Sequence, residues 1–128
     1  MTELLIRSLC ELLPHKTICK DCETNFIGTL GQVDVGFGIV GIRGTNISMV
    51  GEIPYCKPYL FPLSSMTEEQ KNEFDVLLEI KLNAISDGID TKQATAFEVD
   101  FYNKHHLDWR GLIPIGLAID ATINNPYK

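Results

Sequence analysis

The chain has 128 residues, 45% of them hydrophobic, and a formal net charge of −6. That length fits a single domain with its own core, and the acidic balance argues against duplex nucleic acid, which is held by neutralising phosphates with Lys and Arg. No run approaches the ~18 apolar residues of a membrane span. Residues 1–7 carry an acid at Glu3 and no basic stretch ahead of an apolar one, so no signal peptide is read and a cytoplasmic location is expected.

In chain order, Leu4, Leu5, Leu9, Leu12 and Leu13 fall at helical spacing over 2–13, with Thr2 as the expected cap and Pro14 as the stop. From His15 to about Pro62 the pattern turns to strands. Thr17, Ile18, Phe26, Ile27 and Leu30 suggest one or two short ones, and Val33, Val35, Phe37 and Ile39 alternate with Asp34, Gly36 and Gly38 as a strand with one apolar face. Arg43 to Asn46 reads as a turn, with a returning strand through Ile47, Met49 and Ile53. Pro54, Pro58 and Pro62 punctuate the next stretch, which is expected as an edge strand or an extended crossover because proline cannot donate to a ladder.

Thr67 followed by Gln70 forms a capping box, and Phe74, Leu77, Leu78, Leu82 and Ile85 draw an apolar stripe that predicts an amphipathic helix over about 68–86. Gly88 ends it. Residues 94–100 read as a short strand or the lead into a helix over 101–108, after which Gly111, Pro114 and Gly116 break the chain. Residues 117–121 close the fold, and 124–128 read as a polar tail. The fold class expected is α+β: a small twisted antiparallel sheet (about 15–62) packed with an N-terminal helix, the central helix and a short C-terminal helical or turn module, in one domain spanning 1–128.

His106-Leu-Asp-Trp-Arg-Gly-Leu-Ile113 with Gly116-Leu-Ala-Ile-Asp120 resembles a closing module found across proteins of Bacteroidetes phages and mobile elements. The proline-punctuated Lys57–Ser64 segment is similar to a second landmark of that family, and Leu12-Leu13-Pro14 to a third. Phe61 stands where relatives commonly carry arginine, and Trp109 where tyrosine or phenylalanine is common. The family has no established reaction, so the resemblance implies a phage accessory or counter-defence setting and no particular mechanism.

Most chemical motifs lose their context on inspection. Gly36, Gly38 and Gly41 match G-x-G-x-x-G, but the dinucleotide fingerprint needs a strand ending and a helix beginning at that point. Here a strand continues, so the glycines are read as easing sheet twist or a close backbone approach. Cys19 and Cys22 have ligand-like spacing, yet no second Cys-x-x-Cys accompanies them; reduced thiols are expected of Cys10, Cys19, Cys22 and Cys56, with zinc as the alternative. His105, His106 and Asp108 invite a metal site, although only His105 and Asp108 share a helix face. The acids Glu68, Glu69, Glu73, Asp75 and Glu79 read as a solvated face.

Trp109-Arg110 is the pair with binding chemistry, since a planar cation beside a large aromatic suits base stacking and bidentate phosphate capture. The alternative is a core tryptophan and an arginine paired with a carboxylate at the closing turn. Tyr102, Lys104 and His105 would share the rim, and Arg43 and Lys57 complete the candidate ligand-binding set; no catalytic, metal or cofactor residue is assigned. The expected function is a binding protein that sequesters a nucleotide-like anion or covers a host protein, with a homodimer as the natural assembly. The rival readings are a metal-assisted phosphodiesterase or nuclease using His105, His106 and Asp108, and an assembly factor docking through its proline-rich edge.

Overall fold

A computed structural model describes the backbone of residues 2–128, and the side chains of these apart from 2 and 91–95. The element order is α1 (Thr2–Leu12), β1 (Ile18–Asp21), β2 (Phe26–Asp34), β3 (Ile39–Arg43), β4 (Ser48–Glu52), β5 (Cys56–Leu60), α2 (Glu68–Ser86), α3 (Thr91–Lys104) and β6 (Ile119–Asp120). Pro14 lies in a 3-10 turn that ends α1, and the side chain of Thr2, the expected cap, falls outside the described residues. The fold is α+β, and the six strands form one mixed sheet in the order β4-β3-β2-β1-β5-β6. β1 to β5 pair antiparallel, as expected for about 15–62, and β6 adds a parallel edge against β5.

Alternation decides what is inside. Leu5 and Leu9 of α1 pack on Cys19, Leu30, Val40, Ile42, Ile53 and Cys56, while Leu12, Leu60, Leu112 and Ala118 make a second cluster beneath the C-terminal module. Burial of these side chains from water is the main force holding α1 on the sheet.

The run Val33 to Ile39 is not one strand. β2 ends at Asp34, whose carboxylate accepts the Phe37 N–H at 3.1 Å, and Gly38 takes φ +68°, so the chain reverses over residues 35–38. Val35 and Phe37 therefore stand in solvent at a hairpin tip. The proline-rich stretch also differs from expectation: β5 is interior, between β1 and β6. Cys22 N–H bonds to Tyr55 O and Lys20 lies opposite Lys57, so by the antiparallel alternation Pro58 turns its missing N–H away from β1. On the other side β6 pairs only with Tyr59 and Leu60, and Pro58 falls just before that ladder starts.

The next pair in the β1/β5 alternation would be Ile18 with Tyr59, and there the ladder is opened by a side chain. The Tyr127 hydroxyl accepts the Ile18 N–H (3.1 Å) and donates to the Tyr59 carbonyl (2.7 Å). The stretch read as a polar tail thus supplies a tyrosine that joins two strands.

α2 spans the predicted residues, with the capping box in place: Gln70 N–H to Thr67 Oγ1 at 3.1 Å and Thr67 N–H to Gln70 Oε1 at 3.0 Å. α3 is a full helix, beginning well before the segment expected as one, and it forms an antiparallel hairpin with α2. Phe74, Leu77 and Leu78 are half-buried, whereas Leu82 and Ile85 of the predicted stripe are exposed, because the core lies between α1 and the sheet and α2 has no further layer to cover its flanks. No helix among the described residues is long and apolar enough to cross a membrane.

Candidate functional site

The C-terminal module is built around a chain reversal. α3 ends at Lys104, His106 adopts φ +55°, and the Asp108 carboxylate receives the N–H groups of Leu112 (2.7 Å) and Ile113 (2.9 Å). Gly111 takes φ +74° within that turn, a conformation that glycine adopts without a Cβ clash. Phe61 N–H bonds to His106 O and Asp108 N–H to Phe61 O, both at 2.8 Å, which ties the turn to the end of β5.

On this frame Tyr102, Trp109 and Arg110 come together. Trp109 donates from Nε1 to Asn103 Oδ1 at 3.0 Å and stacks near-parallel to Tyr102, 6.2 Å between centroids. The Arg110 guanidinium lies 4.3 Å over the Trp109 ring and donates to Glu11 Oε1 on α1. Its side chain is only 14% exposed. Arg110 Nε and Glu11 Oε2 are buried without a hydrogen-bond partner, so the pair is a single-stranded contact where a bidentate one would fit the fork of the guanidinium. The space enclosed with Ser8, Asn103 and Asp108 is about 10 Å³, enough for one water and far below the ~300 Å³ of a small-ligand pocket. The stacking face of this pair, the Trp109 Nε1–H and one guanidinium donor of Arg110 are spent inside the protein.

His105 joins the same end of α3 but faces elsewhere. Its Nε2 is 2.9 Å from Glu73 Oε2, and Lys104 Nζ is 3.1 Å from Glu73 Oε1, so one α2 carboxylate holds both. The Lys104 hydrogen bond, with that of His105 behind it, keeps the Glu73 carboxyl below its usual range. His106 Nε2 meets the His15 carbonyl at 2.8 Å, and burial pushes its imidazole below the ordinary histidine value. His105, His106 and Asp108 are therefore each engaged by a different partner, and no group of three or more His, Cys, Asp or Glu side chains among the described residues is placed to hold a metal ion. Cys19 and Cys22 do not converge either: Cys19 is buried and Cys22 exposed. The Cys19 thiol, hydrogen-bonded to Cys56 and desolvated, lies well above the usual thiol range.

Lys57 and Arg43 are apart from this cluster. Lys57 sits on β5 opposite Lys20. Arg43 ends β3, exposed, with no ion pair among the described residues. It walls two open grooves that sequence reasoning did not anticipate: one of about 380 Å³ with Gly31, Gln32, Gly41, Ser48 and Val50, and one of about 390 Å³ with Ile27, Gly28, Thr29, Thr45 and Pro126. The strand glycines are the signal for them. A Cβ on Gly31 would lie 2.9 Å from Arg43 Nε, so that position stays bare for the arginine to cross β2, and one on Gly28 would lie 2.4 Å from the Arg43 carbonyl, so that position admits the close approach of the β3 backbone. Gly36, Gly38 and Gly41 occupy the hairpin tip and β3 with no helix following, which leaves no place for a dinucleotide. No protein-family model, curated protein or solved structure matches this chain.

Proposed function

We propose that the chain is a non-enzymatic binding protein of a phage or mobile element, acting in the host cytoplasm by covering a host protein with its α2–α3 hairpin. The observation that carries this reading is one flank of α2, where Val76 and Ile80, one turn apart, are exposed on a helix with no buried residue. Exposed apolar surface in an otherwise charged helix is the usual mark of a docking face. Glu68, Glu69, Asp75, Glu79 and Asp87 border it, so the partner would offer an apolar centre rimmed by Lys and Arg. The resemblance of residues 106–120 to phage modules supports a counter-defence setting. A phosphodiesterase is disfavoured because His105, His106 and Asp108 are each committed elsewhere, and an assembly factor docking through residues 55–63 is disfavoured because β5 is flanked on both sides.

A photo-crosslinking residue placed at Val76, in the natural host, tests the reading. It should capture one saturable protein that a crosslinker at Glu23, on the β1–β2 turn, does not, and Ile80→Glu should abolish capture. Equal capture from both positions would remove the proposal. A second reading, capture of a nucleotide-like anion, is favoured by Arg43, a cation on two grooves without an ion pair among the described residues. Native mass spectrometry of protein purified from cells would reveal such a ligand, and Arg43→Ala should lose it.

A further inference from the structure

The free edge of the sheet carries a pattern that fits a second copy of itself. Gly44 N–H bonds to Ile47 O and Ile53 N–H to Gly38 O, and between them the register pairs Ile42 with Met49 and Val40 with Gly51. Antiparallel ladders alternate, so Ile47, Met49, Gly51 and Ile53 spend their backbone groups on β3, and Ser48, Val50 and Glu52 turn theirs outward. β4 is the end strand of the sheet. Among the described residues none of these outward backbone groups is hydrogen-bonded to the backbone of another element. The edge lacks the devices that usually blunt one: it holds no lysine, no bulge and no proline before Pro54.

We propose that two copies associate through antiparallel β4–β4 pairing about a twofold axis at Val50. This proposal is independent of the function proposed above. The pairing sets Val50 against the partner's Val50, and Ser48 against the partner's Glu52. Every pair then joins residues whose free N–H and C=O groups face each other, so the two edges satisfy one another completely. It also covers Val50 and Ile47, which are 65% and 66% exposed in the single chain.

Charge selects the same register. Arg43 lies opposite Ser48 on the outer face, since directly opposed residues share a face. Across the twofold, the partner's Glu52 lies just beyond Ser48 on that face, two strand spacings or about 10 Å from Arg43. A serine lies between them, low enough for the two long side chains to meet above it. For this contact the exposed Arg43 side chain rotates from its place over Gly31. The pair forms twice in the dimer. For a chain of net charge −6, this edge with one acid and one nearby arginine is better suited to self-association than the acid-bordered hairpin. Arg43 held by the partner's Glu52 is unavailable to an anion, so dimerisation counts against the nucleotide reading.

Sedimentation equilibrium of the full chain up to about 1 mM, the weak end of measurable association, tests the proposal. Wild type should dimerise reversibly. Val50→Pro removes only an outward N–H, so the monomer should stay folded by circular dichroism while dimerisation is lost. Glu52→Arg should weaken the dimer at least about tenfold by placing two cations together at each site. The double variant Arg43→Glu/Glu52→Arg should restore it to within about threefold by reversing the pair. A wild-type chain that stays monomeric, a dimer indifferent to Val50→Pro, or a charge reversal without rescue would each overturn it.

Discussion

The imidazole of His106 lies flat on the ring of Tyr127, with 4.3 Å between centroids and 12° between planes. This stack, under the His106 bond to the His15 carbonyl, keeps the imidazole out of water, and burial is the leading cause of its lowered pKa, helped by the charges of His15 and His105. A folded-state value below the unfolded one means that the unfolded chain takes up the proton first. Stability from this group is full above about pH 6.5 and is lost as pH falls through the folded value. Glu73, also lowered, adds a second loss below its ordinary range near pH 4.5. Thermal denaturation should give a melting temperature that is flat between about pH 7 and 8 and declines from about pH 6.5 downward. His106→Asn, which tolerates the left-handed backbone, should remove the upper part of that decline.

Tyr127→Phe deletes one oxygen and leaves the Ile18 N–H and Tyr59 carbonyl facing each other without their bridge. The ring contacts to His106 and Phe61 persist. Denaturant unfolding should show a loss of about 1–3 kcal/mol, the usual cost of stranding buried polar backbone. Hydrogen exchange at Ile18 should accelerate beyond the global change, because its amide donates to that hydroxyl.

Arg110 and Glu11 should behave as a structural pair. Arg110→Ala leaves a half-buried carboxylate on α1 and strips the cation from Trp109, so a destabilisation of about 2 kcal/mol is expected. The pair Arg110→Met/Glu11→Leu should recover much of it, since replacing both partners by apolar groups removes the stranded charge. A thermodynamic cycle over the two single variants and the double variant measures the coupling. If Arg110→Ala were neutral, the arginine would be free for a ligand after all.

The thiols should divide by position. Cys10 and Cys22 are exposed, while Cys19 and Cys56 are buried in the core, and Cys19 is further held in its protonated form. The thiolate is the reactive species. Iodoacetamide should therefore modify Cys10 and Cys22 in the native chain and reach all four cysteines only in denaturant, as read by intact mass.

Sequence carried the parts of this fold that are local. Thr67, Gln70 and the apolar spacing from Phe74 mark α2 within a single stretch, and the structure starts that helix at Glu68. The β2–β3 turn was hidden because the Val33 to Ile39 alternation runs straight through it. What breaks the strand is the Asp34 carboxylate on the Phe37 amide, a contact that apolar periodicity does not register. Tyr127 was illegible for a different reason, because its two partners lie 109 and 68 residues away. For the candidate site, Trp109 and Arg110 stood out as chemistry, but whether that chemistry faces a ligand or Glu11 is settled by where α1 packs, 99 residues earlier in the chain. Arg43 was legible as a candidate cation, but the grooves beside it are signalled only by strand glycines such as Gly31, whose meaning needs the arginine's path across β2.

The bonds of Phe61 to His106 and Asp108 place the two ends of the α2–α3 excursion side by side. The chain leaves the sheet at Pro62 and comes back at Leu107 almost where it left. An excursion closed at its base in this way can grow or shrink by whole helical turns at its far tip, near Gly88, without altering the register of any strand. The sheet is thereby free to stay fixed while the reach of the hairpin drifts, much as a handle can be exchanged on a tool whose socket is kept.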